Sequence, residues 1–313
     1  MDKTMKKKFT VAIPLATLVS VFVPSSAEAW FAPQVDQELK SPEIKIAQEE
    51  DREVPLVTEG VLAGFTKEAI ESANHPLEPA IALARRGLEH MDEEVLGYTA
   101  TLVKQIRYKG RLLPETHLNV KIRHERGEGD DFVPFSVYTK ILRPRKKLGI
   151  ESIYVDTWNG NKIIVHPNWK VGNMKLSLPV DGRLAMQEQL HPITMIGIKN
   201  LLCQTIEKGE RDLAHDECEV SIDDNVVIDG QRCMVIEIIH PHPRDHFEFH
   251  VAKIYIDIER QVPFGYEGYL WPEEEGGEPL LLEKYIYKNL KLNPELDDED
   301  FNPDNEAYDY PAK

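Results

Sequence analysis

The densest group of side chains able to do chemistry runs His240-Pro241-His242-Pro243-Arg244-Asp245-His246-Phe247-Glu248-Phe249-His250. If His246 onward is a strand, side chains alternate between faces, so His246, Glu248 and His250 share one face opposite Phe247 and Phe249. Two imidazoles and a carboxylate side by side suit zinc, with His240 or His242 reaching over from the preceding loop. No H-E-x-x-H spacing is present, so the plainer reading is a polar outer face. A second group is basic: Lys140 is followed by Arg143, Arg145, Lys146 and Lys147 between Leu142 and Leu148, in a chain of 37 basic and 54 acidic residues. Arg143, Arg145, Lys146 and Lys147 form a candidate site for an anionic group such as a lipid headgroup or an acidic partner, since guanidinium and ammonium groups donate to phosphate and carboxylate oxygens. For nucleophilic catalysis there is no G-x-S-x-G elbow, and no Gly-rich phosphate loop or C-x-x-C pair is present. No cofactor is expected.

The elements that must position these groups are mostly strands. From His246 to Ile258, Pro263 to Trp271 and Leu280 to Leu292 the chain is rich in aromatic and β-branched residues and broken by polar, Gly- and Pro-bearing joints, the pattern of an antiparallel meander. Ile254, Ile256 and Ile258 take the parity that His246 to His250 held, which a bulge near Ala252 or Lys253 would reconcile and a strand buried on both faces would also explain. Upstream, strands are expected over Tyr98 to Tyr108, Glu115 to His124, Phe132 to Leu142, Glu151 to Trp158, Lys162 to His166 and Met174 to Leu178. Lys109-Gly110, Asn159-Gly160 and Asp229-Gly230 mark tight hairpins. After the second helical block, further strands cover Cys218 to Ile222, Val226 to Ile228 and Arg232 to Ile239.

Two helices break this series. Leu77, Ile81, Ala84, Leu88, Met91 and Val95 form one apolar stripe at helical spacing, with Gly97 as its stop. Met195, Ile198, Leu202 and Ile206 step likewise, with Gly197 inside the block at a cost of about 1 kcal/mol relative to Ala. A short helix is also expected around Thr66 to Ser72.

The ends and composition bound where the protein works. Lys3, Lys6, Lys7 and Lys8, an apolar run from Phe9 to Val23 and Ala27-Glu28-Ala29 make a secretory signal peptide over 1–29, with cleavage before Trp30. The mature chain is expected in the periplasm or secreted, with no stable transmembrane segment. Residues 30–75 read as a flexible acidic leader, 76–301 as a single domain, and 302–313 as a solvated acidic tail. The formal charge of −17 disfavours nucleic acid as a partner. Cys218 and Cys233 lie on neighbouring strand-like segments and could pair, but buried free thiols are the expected state.

The order of elements, with Asn289-Leu290-Lys291-Leu292-Asn293 followed by Leu296-Asp297-Asp298-Glu299-Asp300-Phe301, resembles the periplasmic carriers of the lipoprotein-localisation superfamily. Leu142-Arg143-Pro144 leading into Ile153-Tyr154-Val155-Asp156 looks like that superfamily's proline-ended strand and following hairpin. Asp257, Val262-Pro263, Tyr269-Leu270-Trp271-Pro272 and the terminal Asp-Phe segment resemble an uncharacterised bacterial exported family, a domain of unknown function. The resemblance covers roughly Leu77 to Phe301.

It implies an α+β fold in which a strongly curved antiparallel sheet, an incomplete β-barrel, is covered by helices and encloses an apolar concavity for a lipid or a lipoprotein acyl group. Alternation then predicts a lining of Phe135, Val137, Ile153, Val155, Phe264, Tyr266 and Leu270, with Met195, Ile198 and Leu202 on a helical lid. Two other readings stand beside this one: a metal-dependent enzyme using His240, His242, His246, Glu248 and His250, and a structural envelope protein that binds another protein.

Overall fold

In the computed structural model the described residues are 42–46, 60–167 and 174–311. The signal peptide expected over 1–29 and most of the leader lie outside them. Residues 41–313 form one compact unit.

The fold is α+β and rests on a 13-stranded, entirely antiparallel sheet. In chain order the strands are β1 (Ile44–Ile46), β2 (Gly97–Tyr108), β3 (Arg111–Leu112), β4 (Thr116–Arg123), β5 (Ser136–Arg143), β6 (Glu151–Val155), β7 (Lys162–His166), β8 (Leu176–Pro179), β9 (Glu219–Ile228), β10 (Gln231–Ile239), β11 (Val251–Asp257), β12 (Val262–Leu270) and β13 (Leu280–Leu292). Their spatial order is β1-β9-β10-β11-β12-β13-β2-β4-β5-β6-β7-β8, with β3 paired to β2 alone. The sheet is therefore two meanders joined where the last strand, β13, pairs with β2. It does not close, since β1 and β8 end the series.

The hairpin turns follow from residue type. Lys109-Gly110, Asn159-Gly160 and Asp229-Gly230 all carry positive φ at both positions, as a turn matching strand twist requires. The strand expected from His246 begins only at Val251, and residues 241–250 form a loop. Pro241 and Pro243 each lack a backbone N–H, so this stretch cannot extend the ladder of β10. The register shift in β11 falls between Tyr255 and Ile256, not near Ala252.

Among the described residues the α-helices are α1 (Lys67–Ser72), α2 (Leu77–Glu94) and α3 (Ile198–Asp212). Thr66 caps α1, its Oγ1 accepting from the Ala69 N–H at 3.2 Å. Leu77, Ala80, Ile81 and Leu83 of α2 join Ile236, Ile238, Ile254 and Ile256 of β10 and β11 in one core cluster. Leu62, Phe65 and Ile70 belong to that cluster, so packing begins inside the stretch expected to be leader. A second cluster joins Met91 of α2 and Val95 just past its end, Ile198 and Leu202 of α3, and Tyr98, Leu102, Val120, Ile122, Val137, Phe264 and Tyr287 from the sheet.

Gly197 does not sit inside α3. It precedes the first turn with φ 114, a conformation open to glycine. The close approach belongs to Gly209, where a Cβ would lie 2.9 Å from Ile81 Cγ1 of α2.

The opposite face of β4 to β7 is covered by the C-terminal segment. Tyr138, Ile153, Phe301 and Tyr310 form a buried cluster, and Tyr308 stacks on Tyr138 at 4.1 Å between ring centroids. The Asp309 N–H donates to the buried Glu151 carboxylate at 2.9 Å, and Tyr310 donates to the Ile164 carbonyl at 3.2 Å. Residues expected as a solvated tail thus pack down as far as Tyr310.

Candidate functional site

The two halves of the sheet are filled differently. Under β10 and β11, α2 and α3 pack almost solidly, leaving a void of about 40 Å³ beside Leu202. Under β2 and β4 to β8 a cavity of about 730 Å³ remains.

Register explains its walls. Leu102, Lys104 and Ile106 share one face of β2. The pairings Lys104↔Thr116 and Leu102↔Leu118 bring Thr116 and Leu118 of β4 alongside. Leu118↔Ile141 and Val120↔Thr139 continue the face into β5, and Thr139↔Ser152 into β6. Ile163 and Val165 of β7, Leu176 and Leu178 of β8, and Tyr285 and Tyr287 of β13 complete it. The roof is Leu201, Gln204, Thr205 and Lys208 of α3 together with the irregular connector 180–197, from which Leu184, Ile193, Met195 and Ile196 face the space.

The start of α3 is fixed from beneath. Tyr98 Oη accepts from the Ile198 N–H at 2.8 Å and Tyr287 Oη from the Gly197 N–H at 3.1 Å, which satisfies two of the donors a helix leaves open at its N-terminus. Burial holds both phenols above their ordinary pKa, so they stay neutral. Their rings meet edge to face at 5.9 Å.

Charged groups line the same space. Lys104, Arg111, Lys146, Lys147 and Lys208 are its cations, against Glu188 and Glu283. Lys147 pairs with Glu188 at 2.5 Å, while His191 and Glu283 meet at 3.0 Å. The Lys104 ammonium donates to the neutral Gln189 side-chain oxygen. Burial first, then the neighbouring Lys147 charge, brings its pKa down to about 8.

The residues expected at the site are thus distributed. Met195 and Tyr266 line the cavity. Val137, Ile198 and Phe264 are buried in the packed core beside it, and Phe135 packs against that core. Leu202 belongs to the core and borders only the small void. Ile153 and Val155 lie on the opposite face under the C-terminal segment. The pairings Val137↔Tyr154 and Tyr138↔Ile153 set β6 one step out of the expected phase, and one step reverses every side chain. Leu270, half-buried near the end of β12, borders neither space.

Of the basic group, Lys146 and Lys147 reach the cavity. Arg143 and Arg145 do not line it, although Pro144, joined to Arg143 by a cis peptide bond, does. Lys140 turns to the other face, where it pairs with Glu151 at 3.0 Å and Asp309 at 2.8 Å. Sequence reasoning missed Lys104, Leu118, Ile141 and the connector. Lys104 carried a signal: it interrupts the series Tyr98, Ala100, Leu102, Ile106 on the inward parity of β2.

The histidine group is dispersed. His240 is fully buried, its Nδ1 3.0 Å from the Phe249 carbonyl and its ring stacked on Phe247 at 3.8 Å. His246 stacks on His215 at 3.6 Å, and His250 Nδ1 lies 2.8 Å from the His240 carbonyl. Glu248 is taken up by Arg211 at 2.9 Å and Lys208 at 3.0 Å, while His242 is exposed. Among the described residues no three His, Cys, Asp or Glu side chains converge as a metal site requires. Cys203, Cys218 and Cys233 are free thiols. No described helix is long and apolar enough to cross a membrane.

A family model described as "Protein of unknown function (DUF1571)" matches residues 95–310, the span containing the sheet from β2 onward and the whole cavity. No curated protein matches. Among solved structures, a DUF1329 family protein from Desulfovibrio piger aligns at 11% identity and TM-score 0.36, over 73% of this chain and 98% of its own. A putative outer membrane lipoprotein-sorting protein domain from Vibrio parahaemolyticus aligns at 14% identity and TM-score 0.33, over 70% of this chain and 97% of its own. A LolA superfamily protein from Nitrosomonas europaea aligns at 13% identity and TM-score 0.28, over 70% and 97%.

Proposed function

This chain belongs to the family described as Protein of unknown function (DUF1571), and we propose that it is an exported binding protein that holds the apolar part of a lipid or lipoprotein in the concavity of its sheet. The observation that carries this reading is the cavity of about 730 Å³ under β2 and β4 to β8, walled by Leu102, Leu118, Ile141, Ile163 and Leu178 and roofed by the connector and α3. A packed domain leaves few voids larger than a water molecule. Space of this size with branched apolar walls favours a ligand by removing hydrocarbon from water, at roughly 25 cal/mol per Å² before ordering costs. Met195 and Tyr266 are ligand contacts on this reading, with Lys146 and Lys147 at its polar side.

Export rests on the sequence of 1–29, with its lysines, apolar run and Ala27-Glu28-Ala29. The working protein is then residues 30–313, placed in the periplasm or outside the cell.

The test is native mass spectrometry of the mature chain purified from the periplasm, before and after organic extraction, paired with titration of a dansyl-labelled fatty acyl probe. A co-purifying lipid mass lost on extraction, and probe binding that Ile141→Trp weakens at least about tenfold by filling the space, are expected. A bare chain that binds no acyl probe in any headgroup form overturns the reading.

A further inference from the structure

The cavity wall has the wrong charge for the molecule that contains it. The chain carries 54 acidic against 37 basic residues, yet five cations and two carboxylates line this space. Arg111 and Lys146 are exposed to solvent, and Lys147 and Lys208 pair with Glu188 and Glu248, so four of these cations are accounted for by water or a partner.

Lys104 is the most telling of the five. It rises from the apolar face of β2 between Leu102 and Ile106, which are 1% and 2% exposed. Lys104 itself is half-buried, and an ammonium drawn out of water is expensive unless a carboxylate neutralises it. Among the described residues Lys104 has no ion pair, and donates instead to the neutral Gln189 side chain. The charges that act on it are the repelling Lys147 and the more weakly attracting Glu283, the latter already engaged by His191 and by the Tyr285 hydroxyl at 3.2 Å. The chain therefore places a cation in its apolar cavity and leaves it short of a counter-charge.

We infer that the ligand of this cavity is an anionic amphiphile: a hydrocarbon chain against the wall of β4, β5, β7 and β8, and a carboxylate or phosphate monoester headgroup neutralising Lys104 with Lys147 beside it. The inference rests on the binding reading above and narrows its ligand class. A neutral acyl ester would fill the hydrocarbon space equally well and leave Lys104 as it stands. An acid would also draw Lys147 away from Glu188, which reaches it from a backbone held at φ 56.

The experiment compares 11-(dansylamino)undecanoic acid with its methyl ester, probes of one hydrocarbon and two headgroups, by fluorescence titration at pH 7. The acid is expected to bind at least roughly tenfold more tightly than the ester, as a charge-assisted hydrogen bond permits. Lys104→Met is expected to remove that preference and leave ester affinity intact, which also shows the variant folded. If Lys104→Met loses the ester as well, Lys147→Gln replaces it and should reduce the acid preference severalfold. Competition by dodecanoate and by dodecyl phosphate then tells which anionic headgroup is taken. Equal affinity of acid and ester for the unaltered protein overturns the headgroup inference while the cavity reading stands. Binding of neither overturns both.

Discussion

At the scale of single residues, the hydroxyls of Tyr98 and Tyr287 are the hinge between sheet and roof. Each is buried and accepts a backbone N–H from the start of α3. Tyr98→Phe leaves the Ile198 N–H without that acceptor, and an unsatisfied buried donor costs about 1–3 kcal/mol. A loss of that size in urea unfolding is expected, and unchanged stability would mean that another group takes the bond. Gly197→Ala should be at least as costly, because the new Cβ must tolerate φ 114 and stand 3.0 Å from the Tyr98 hydroxyl. His240 supplies the pH dependence at this scale. Burial pulls its pKa down to about 4 from 6.5, with the His246 and His250 charges acting in the same direction and the Phe249 carbonyl opposing. Asp212, whose carboxylate lies 3.6 Å from Nε2, is itself pushed upward by burial. Between pH 6.5 and 4 the unfolded chain takes up a proton that the folded chain refuses, so stability falls as pH drops through that window. Unfolding midpoints measured from pH 7 to 4 should decline, and decline less in His240→Gln.

At the scale of elements, the C-terminal segment is a strap over the face of the sheet that the cavity does not use. Lys121–Asp300 at 2.6 Å, Lys175–Asp304 at 2.6 Å and Lys140–Asp309 at 2.8 Å fasten it at partly exposed sites, where such pairs contribute little. The Tyr308 and Tyr310 rings should contribute more, since each carries a large apolar surface onto Tyr138 or His166. Removing residues 302–313 is expected to lower stability by roughly 2–4 kcal/mol from lost aromatic burial. Acyl-probe affinity should remain, because the strap and the cavity lie on opposite faces of β5 and β6. Loss of probe binding in a truncated chain that still unfolds cooperatively would show that the two faces are coupled. The strap also marks where sequence legibility ended. Asp304, Glu306 and Asp309 gave residues 302–313 a solvated reading, while Tyr308 and Tyr310 among them are the residues that dock. The helices and most strands were legible because periodicity and Gly-bearing turns are local signals. The phase of β6 was not, because a short strand with apolar residues on both faces gives no parity. His246 to His250 was misread as the start of a strand because its alternation mimics one, while it continues the loop that Pro241 and Pro243 open.

The compact unit formed by residues 41–313 joins two unlike halves across the pairing of β13 with β2. On one side α2 and α3 close onto β10 and β11 with only the small void left, and on the other the roof stands off β4 to β8. A ligand that fills the open half gives new contacts to the connector, to β4, β5, β7 and β8 and to the near face of α3. The packed half has no room to respond, since its side chains already meet at core density. Hydrogen exchange with and without the dansyl acid should therefore slow in the connector 180–197 and in β7 and β8, whose outer strand has a single partner. Rates in β10 and β11 should change little. Protection confined to β10 and β11 would place the ligand under α2 and remove the large cavity as its site. Protection gained evenly across the sheet would mean that binding tightens the whole fold, with the two halves answering as one cooperative unit.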